Sequence, residues 1–149
     1  MNKTRLVALI TVLLTIGTVF GHKIHKRDVP SVIINSFHKH FPRAYDVEWK
    51  MEQNIYKVEF ETGLRRNDHT IWFDNLGKIV RHKEEISKNK LPTQIIKKID
   101  TDFGGYRISD VKRISEGNSV IYTLELKKFN EEWKVSFNPD GSIISKIPD

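Results

Sequence analysis

The chain has 149 residues, enough for one well-filled core or two small ones under a shared sheet. Its 25 Lys and Arg against 19 Asp and Glu give a formal charge of +6, a mild excess with both signs mixed, which excludes the concentrated basic footprint of a nucleic-acid binder. The absence of cysteine excludes a disulfide framework, a lipid-bearing signal-peptide cysteine and thiol chemistry, and leaves stability to packing.

Residues 1–21 read as a secretory signal peptide. Lys3 and Arg5 precede an apolar run from Leu6 to Phe20, shorter than the roughly 20 residues a membrane span needs. Val19 and Gly21 suit the positions before a cleavage site, so cleavage is expected after Gly21, an uncleaved anchor being the competing reading. The mature chain would carry 23 cations against 19 acids, a net +4. It is expected in the periplasm or secreted, with no stable membrane insertion.

His22 to Arg27 is a polar lead-in, expected to be mobile. Asp28 is then placed to cap a helix with Pro30 in its first turn, where a missing N–H costs nothing. Ile33, Ile34, Phe37 and Phe41 share one helical face, and Pro42 ends the helix. Four short strands are expected to follow, over 46–51, 55–61, 68–73 and 78–85. A second unit opens at Leu91-Pro92. Its Ile95, Ile96, Ile99 and Phe103 match the first helix at an offset of 62, and Gly104-Gly105 ends it. Strands are expected again over 108–115, 120–127, 132–137 and 142–147. The hairpin Ile71-Trp72-Phe73-Asp74-Asn75-Leu76-Gly77-Lys78-Ile79 recurs 64 residues later as Val135 to Ile143, the signature of a duplicated unit. The short turns force antiparallel neighbours.

Alternation assigns the faces. Tyr56, Val58 and Phe60 alternate with Lys57, Glu59 and Glu61, as Tyr122, Leu124 and Leu126 do with Thr123, Glu125 and Lys127. The apolar face is expected under the helices and the charged face open to water. Ile33, Phe37, Tyr56, Val58, Phe60 and Phe73 should form one core, and Ile95, Ile99, Tyr122, Leu124, Leu126 and Phe137 the other. The expected fold is α+β: two tandem helix-plus-four-stranded-meander repeats, over 28–86 and 90–149, sharing an antiparallel sheet with the helices on one face.

The pattern Val29-Pro30, Phe37, Phe41-Pro42, Asp46-Val47-Glu48-Trp49, Tyr56-Lys57-Val58-Glu59-Phe60, Phe73-Asp74 and Gly77 resembles the periplasmic PepSY-like family, also called β-lactamase-inhibitor-like. Leu91-Pro92, Asp110-Val111, Tyr122-Thr123-Leu124-Glu125-Leu126, Trp133-Lys134-Val135, Phe137 and Gly141 repeat it, so the resemblance covers nearly the whole mature chain. It implies one exported domain made of the two repeats. Arg113 is read as standing where the first repeat has Trp49.

Enzyme signatures are missing: no Gly-x-Ser-x-Gly elbow, no His-Glu-x-x-His and no phosphate loop. Glu59, Glu61 and Glu125 read as a solvated face rather than an acid/base pair. The six histidines read as scattered surface residues, with no metal site and no cofactor expected; His69 and His82 could meet only if the hairpin register permits. Asp74, Asn75 and Asp140 are explained by their turns rather than by calcium. Trp133 is in phase with the core and Trp49 is ambiguous, while Trp72 is out of phase with Ile71 and Phe73 and should look out of the open face. The expected function is therefore a non-enzymatic exported binding module. It would recognise an unknown envelope protein or peptide on the open face, with Trp72, Trp49, Lys57 and Glu59 as candidate binding residues and hydrolase inhibition as one possible outcome. A small-ligand or metal-binding envelope protein is the alternative.

Overall fold

A computed structural model describes residues 21–149. The signal peptide expected over 1–21 lies, but for Gly21, outside them. The described elements are β1 (His22–Ile24), α1 (Ser31–His40), β2 (Tyr45–Glu52), β3 (Ile55–Thr62), β4 (Asn67–Phe73), β5 (Ile79–Glu85), α2 (Thr93–Asp102), β6 (Arg107–Glu116), β7 (Ser119–Lys128), β8 (Glu131–Phe137) and β9 (Ile143–Pro148), with 3-10 turns at Lys26–Asp28 and Lys88–Lys90. The nine strands make one antiparallel sheet in sequence order. Two helix-plus-four-strand repeats thus share a sheet and are joined edge to edge through β5 and β6.

The ninth strand is a departure from the sequence reading. The lead-in expected to be mobile pairs with β2, His22 facing Met51 and Ile24 facing Trp49. An unpaired sheet edge is a ready template for any extended segment, and this is the nearest one. Asp28 is also not the helix cap. It lies within the preceding 3-10 turn, its amide bonded to the His25 carbonyl at 2.9 Å. The helix starts one turn later, with Pro30 as the cap residue and its carbonyl accepting from Ile33 and Ile34. Pro92 repeats this before α2.

Each helix covers its own half of the sheet. Ile33 and Phe37 of α1 pack with Val58, Phe60, Ile71 and Phe73, and Tyr56 joins at the margin. Ile95 and Ile99 of α2 pack with Leu124, Leu126, Val135 and Phe137, joined by Tyr122 and Trp133. The hairpin turns position the helices. Gly77 and Gly141 have φ of +78° and +88°, and a Cβ would fall 3.0 Å from the Val32 carbonyl oxygen and 2.7 Å from that of Gln94. Only glycine allows both the turn and the close approach of the helix's first turn. Asp74 and Asp140 accept turn amides through Oδ1, so the turns do account for them.

Bulges set the register, and they correct one alignment. Asp46 and Asp110 take left-handed φ of 52° and 47° at irregularities in β2 and β6, a conformation Asp tolerates better than most residues. Tyr56 and Tyr122 both face a phenylalanine, Phe73 and Phe137, so Lys57 corresponds to Thr123. Their partners in β2 and β6 are Lys50 and Lys112. Trp49 therefore corresponds to Val111, not to Arg113, and both are buried.

Candidate functional site on the open sheet face

The face away from the helices carries three rows of side chains across the first repeat. One row is Lys50, Lys57, Trp72, Arg81 and Glu116; the next is Glu48, Glu59, Thr70, Lys83 and Ile114; a third holds Glu61 and Asp68, with Glu85 facing Lys112. A second bulge matters here. Phe73 faces Ile79 but Trp72 faces Arg81, so Val80 is the extra residue. It turns Arg81 and Lys83 to the open face.

The charges form a continuous chain. Lys23 Nζ lies 2.9 Å from Glu48, Lys50 bridges Glu48 at 3.2 Å and Glu59 at 2.7 Å, and Lys57 bridges Glu59 at 2.9 Å and Glu52 at 3.1 Å. Glu52 then accepts from Trp72 Nε1 at 3.3 Å. The Trp72 ring has Lys57 Nζ 5.7 Å and the Arg81 guanidinium 4.9 Å from its centroid, within cation–π range. Partial burial pushes the Glu59 carboxyl up, but the hydrogen bonds from Lys50 and Lys57 outweigh it and leave it below the usual carboxylate value. Lys83 is also held below its ordinary value, by burial first and then by Lys112 and Lys57, which disfavours its charged form.

Two depressions flank this chain. One, of about 400 Å³, is lined mainly by carboxylates, among them Asp46, Glu48, Glu59, Glu61 and Asp68, with Lys83 and buried Thr70 also contributing. The other, of about 220 Å³, lies beside Trp72 between Glu52, Ile55 and Arg81.

Of the four candidate binding residues, Lys57, Glu59 and Trp72 lie together on this face. Trp72 is half-covered by its cations rather than projecting free. Trp49 does not join them. It is 3 % exposed, packed edge-on against Phe37 with ring centroids 5.4 Å apart, and is core. The tight turn at Gln53-Asn54 decides that, because the unbroken ladder from it sets Trp49 opposite buried Val58. Arg81 and Lys83 were missed because the Val80 bulge, which carries no composition signal, reverses their parity. On the helix face the register also brings His69 and His82 together, half-buried rather than scattered.

An antiparallel tandem-repeat sheet with both helices on one face and an open, charged opposite face defines a class of α+β proteins. The family described as "Putative beta-lactamase-inhibitor-like, PepSY-like" matches at residues 19–79 and again at 56–145, and the chain belongs to it. Solved structures share the fold. A protein of Bacteroides eggerthii, named as a "putative periplasmic" protein, is 16 % identical with a TM-score of 0.67, over 80 % of this chain and 88 % of its own. A DUF2874 family protein of Bacteroides uniformis is 19 % identical with a TM-score of 0.66 over the same shares. A BLIP-like protein of Bacteroides fragilis is 15 % identical with a TM-score of 0.63, over 80 % of this chain and 85 % of its own. No curated protein matches the sequence. Among the described residues no helix is long and apolar enough to cross a membrane.

Proposed function

We propose that the chain is an exported, non-enzymatic binding module that recognises a protein or peptide on the open face of its first repeat. The observation that carries this reading is the pre-arranged chain Glu59–Lys57–Glu52–Trp72–Arg81, in which Lys57 is ion-paired to both carboxylates and the indole lies between two cations. A face ordered in advance loses little side-chain entropy on binding. The carboxylate-lined depression beside it suits a Lys or Arg side chain of the partner, and Trp72 a flat or apolar one. The inhibitor-like description of the family and the naming of the Bacteroides eggerthii protein support a non-enzymatic role in the envelope. Inhibition of a hydrolase is one form this binding could take.

The test is affinity capture from envelope extract with the mature chain, at low and then moderate salt. The captured protein, once identified and purified, is titrated against the wild type and Trp72→Ala. Weaker binding by a folded Trp72→Ala supports the reading; unchanged affinity removes this face as the site.

A further inference from the structure

We propose that His69, His82 and Glu84, on the helix-covered face at the seam between the repeats, form a site for a divalent transition-metal ion, with zinc the best match. The site lies on the other side of the sheet from Trp72, although His69 also borders the carboxylate-lined depression.

The register builds it. His69 of β4 lies directly opposite Glu84 of β5, and His82 lies opposite Ile71, two residues along the same face. Without the Val80 bulge His82 and Glu84 would point away from His69. As built, one ligand atom from each of the three residues lies within 4.8 Å of the others. His69 Nδ1 and His82 Nε2 are 3.1 Å apart. Two nitrogens bound at about 2.0–2.1 Å on a tetrahedral ion lie about 3.3 Å from each other, so a small rotation of either ring admits the metal. Imidazole donors with one carboxylate select zinc, copper or nickel over calcium and magnesium, which prefer oxygen shells.

The surroundings orient these groups as metal ligands are oriented. His69 Nε2 lies 2.8 Å from Thr62 Oγ1; the tautomer that donates there leaves Nδ1 bare for a metal. Glu84 accepts from Arg113 Nη1 at 3.0 Å through one oxygen, and a carboxylate has a second. Phe60 stacks on His69 with centroids 5.0 Å apart, and Phe41 packs edge-on to His82 at 5.6 Å. These rings restrict both imidazoles and shield the site on one side. Asp68 and Glu84 supply negative field at the histidines, and Lys90 and Arg113 positive field.

The test uses the metal-free mature chain and zinc chloride. Calorimetry should show one saturable site per chain that calcium and magnesium do not fill at the same concentrations. Long-range proton–nitrogen spectra of the wild type should show zinc perturbing the imidazole nitrogens of His69 and His82 before those of His22, His25, His38 and His40. Losing an outer-shell partner costs a metal site about 10–100-fold in affinity, so losing a ligand in His82→Gln should cost at least about 100-fold. Glu84→Gln keeps an oxygen donor and loses only the charge, so it should cost less, about tenfold, and His38→Gln nothing. Absence of saturable zinc binding, or zinc shifts confined to histidines other than His69 and His82, would overturn the proposal. The wild-type spectra decide between these outcomes even if His82→Gln fails to fold.

Discussion

The two repeats are built alike and finished differently. The offset of 64 that superposes the hairpins maps Trp72 on Ser136, Arg81 on Ser145 and Lys83 on Ile147. On the other face it maps His69 on Trp133, His82 on Lys146 and Glu84 on Pro148. In the second repeat these last positions make a cation–π pair, with Lys146 Nζ 4.0 Å from the Trp133 centroid. In the first they bring together two imidazoles and a carboxylate. The apolar positions that hold the helices are apolar in both copies, Phe60 and Ile71 answering to Leu126 and Val135. What was kept through duplication is packing; what diverged is the chemistry of the first repeat and the seam. That contrast is the ground on which both proposals place their sites in the first repeat.

The sharpest way to break the comparison is through the cores. Phe37 is 2 % exposed and touches Phe41, Trp49 and Phe60; its counterpart is Ile99. Phe37→Ala should cost about 3–5 kcal/mol and Ile99→Ala about 2–5 kcal/mol by denaturant unfolding. A loss under about 1 kcal/mol in either would mean that helix is not what covers its sheet. On the open face the copies should differ. Trp72→Ala should cost about 2 kcal/mol or more of partner binding, roughly thirtyfold, while Ser136→Ala changes nothing measurable. Equal effects would place the partner across both repeats.

Alternation alone assigned both cores, because helix-facing positions in β3, β4, β7 and β8 are apolar at period two. The order of strands followed from turns too short for anything but hairpins. The seam was not legible. Whether His69 meets His82 depends on one extra residue, Val80, and whether Trp49 is core depends on the tight turn at Gln53-Asn54, which sets it opposite Val58. A bulge flips the parity of everything beyond it without changing the composition. The short strand β1 was missed for another reason: three residues cannot show a period, and their pairing is decided by the free edge of β2.

Lys83 offers a smaller test of the same divergence. It lies between Thr70 and Ile114, where its counterpart Ile147 is apolar. Burial and the neighbouring Lys112 and Lys57 hold its ammonium below the ordinary value of 10.5, so the charge opposes folding at neutral pH. The sign follows from proton binding. As pH rises through the lowered folded value toward 10.5, the unfolded chain holds more protons, and this residue's contribution to stability rises with pH. Lys83→Met should therefore raise stability at pH 7 by on the order of 0.5–1 kcal/mol and remove that alkaline gain. A loss of stability would show that its attraction to Glu59 outweighs its desolvation.

Glu59 should give the smallest effect, with the opposite pH sense. Its carboxyl is held below the ordinary 4.5, burial raising it but the hydrogen bonds from Lys50 and Lys57 prevailing. A carboxylate depressed in the fold adds stability that is present above 4.5 and is lost as pH falls from there through the folded value. Because the side chain is 37 % exposed, solvent screens the pairs and the contribution should be about 0.2–1 kcal/mol. Glu59→Gln should cost that much at pH 7, nearly nothing below the folded value, and less in high salt. Among the described residues its counterpart Glu125 pairs with Lys127 alone, at 2.9 Å, whereas Glu59 holds both Lys50 and Lys57. Glu125→Gln should thus cost less than Glu59→Gln in matched acid titrations. Equal losses would show that the second lysine on Glu59 adds nothing to stability, leaving positioning of the open face as the physical role for the chain of charges running to Trp72.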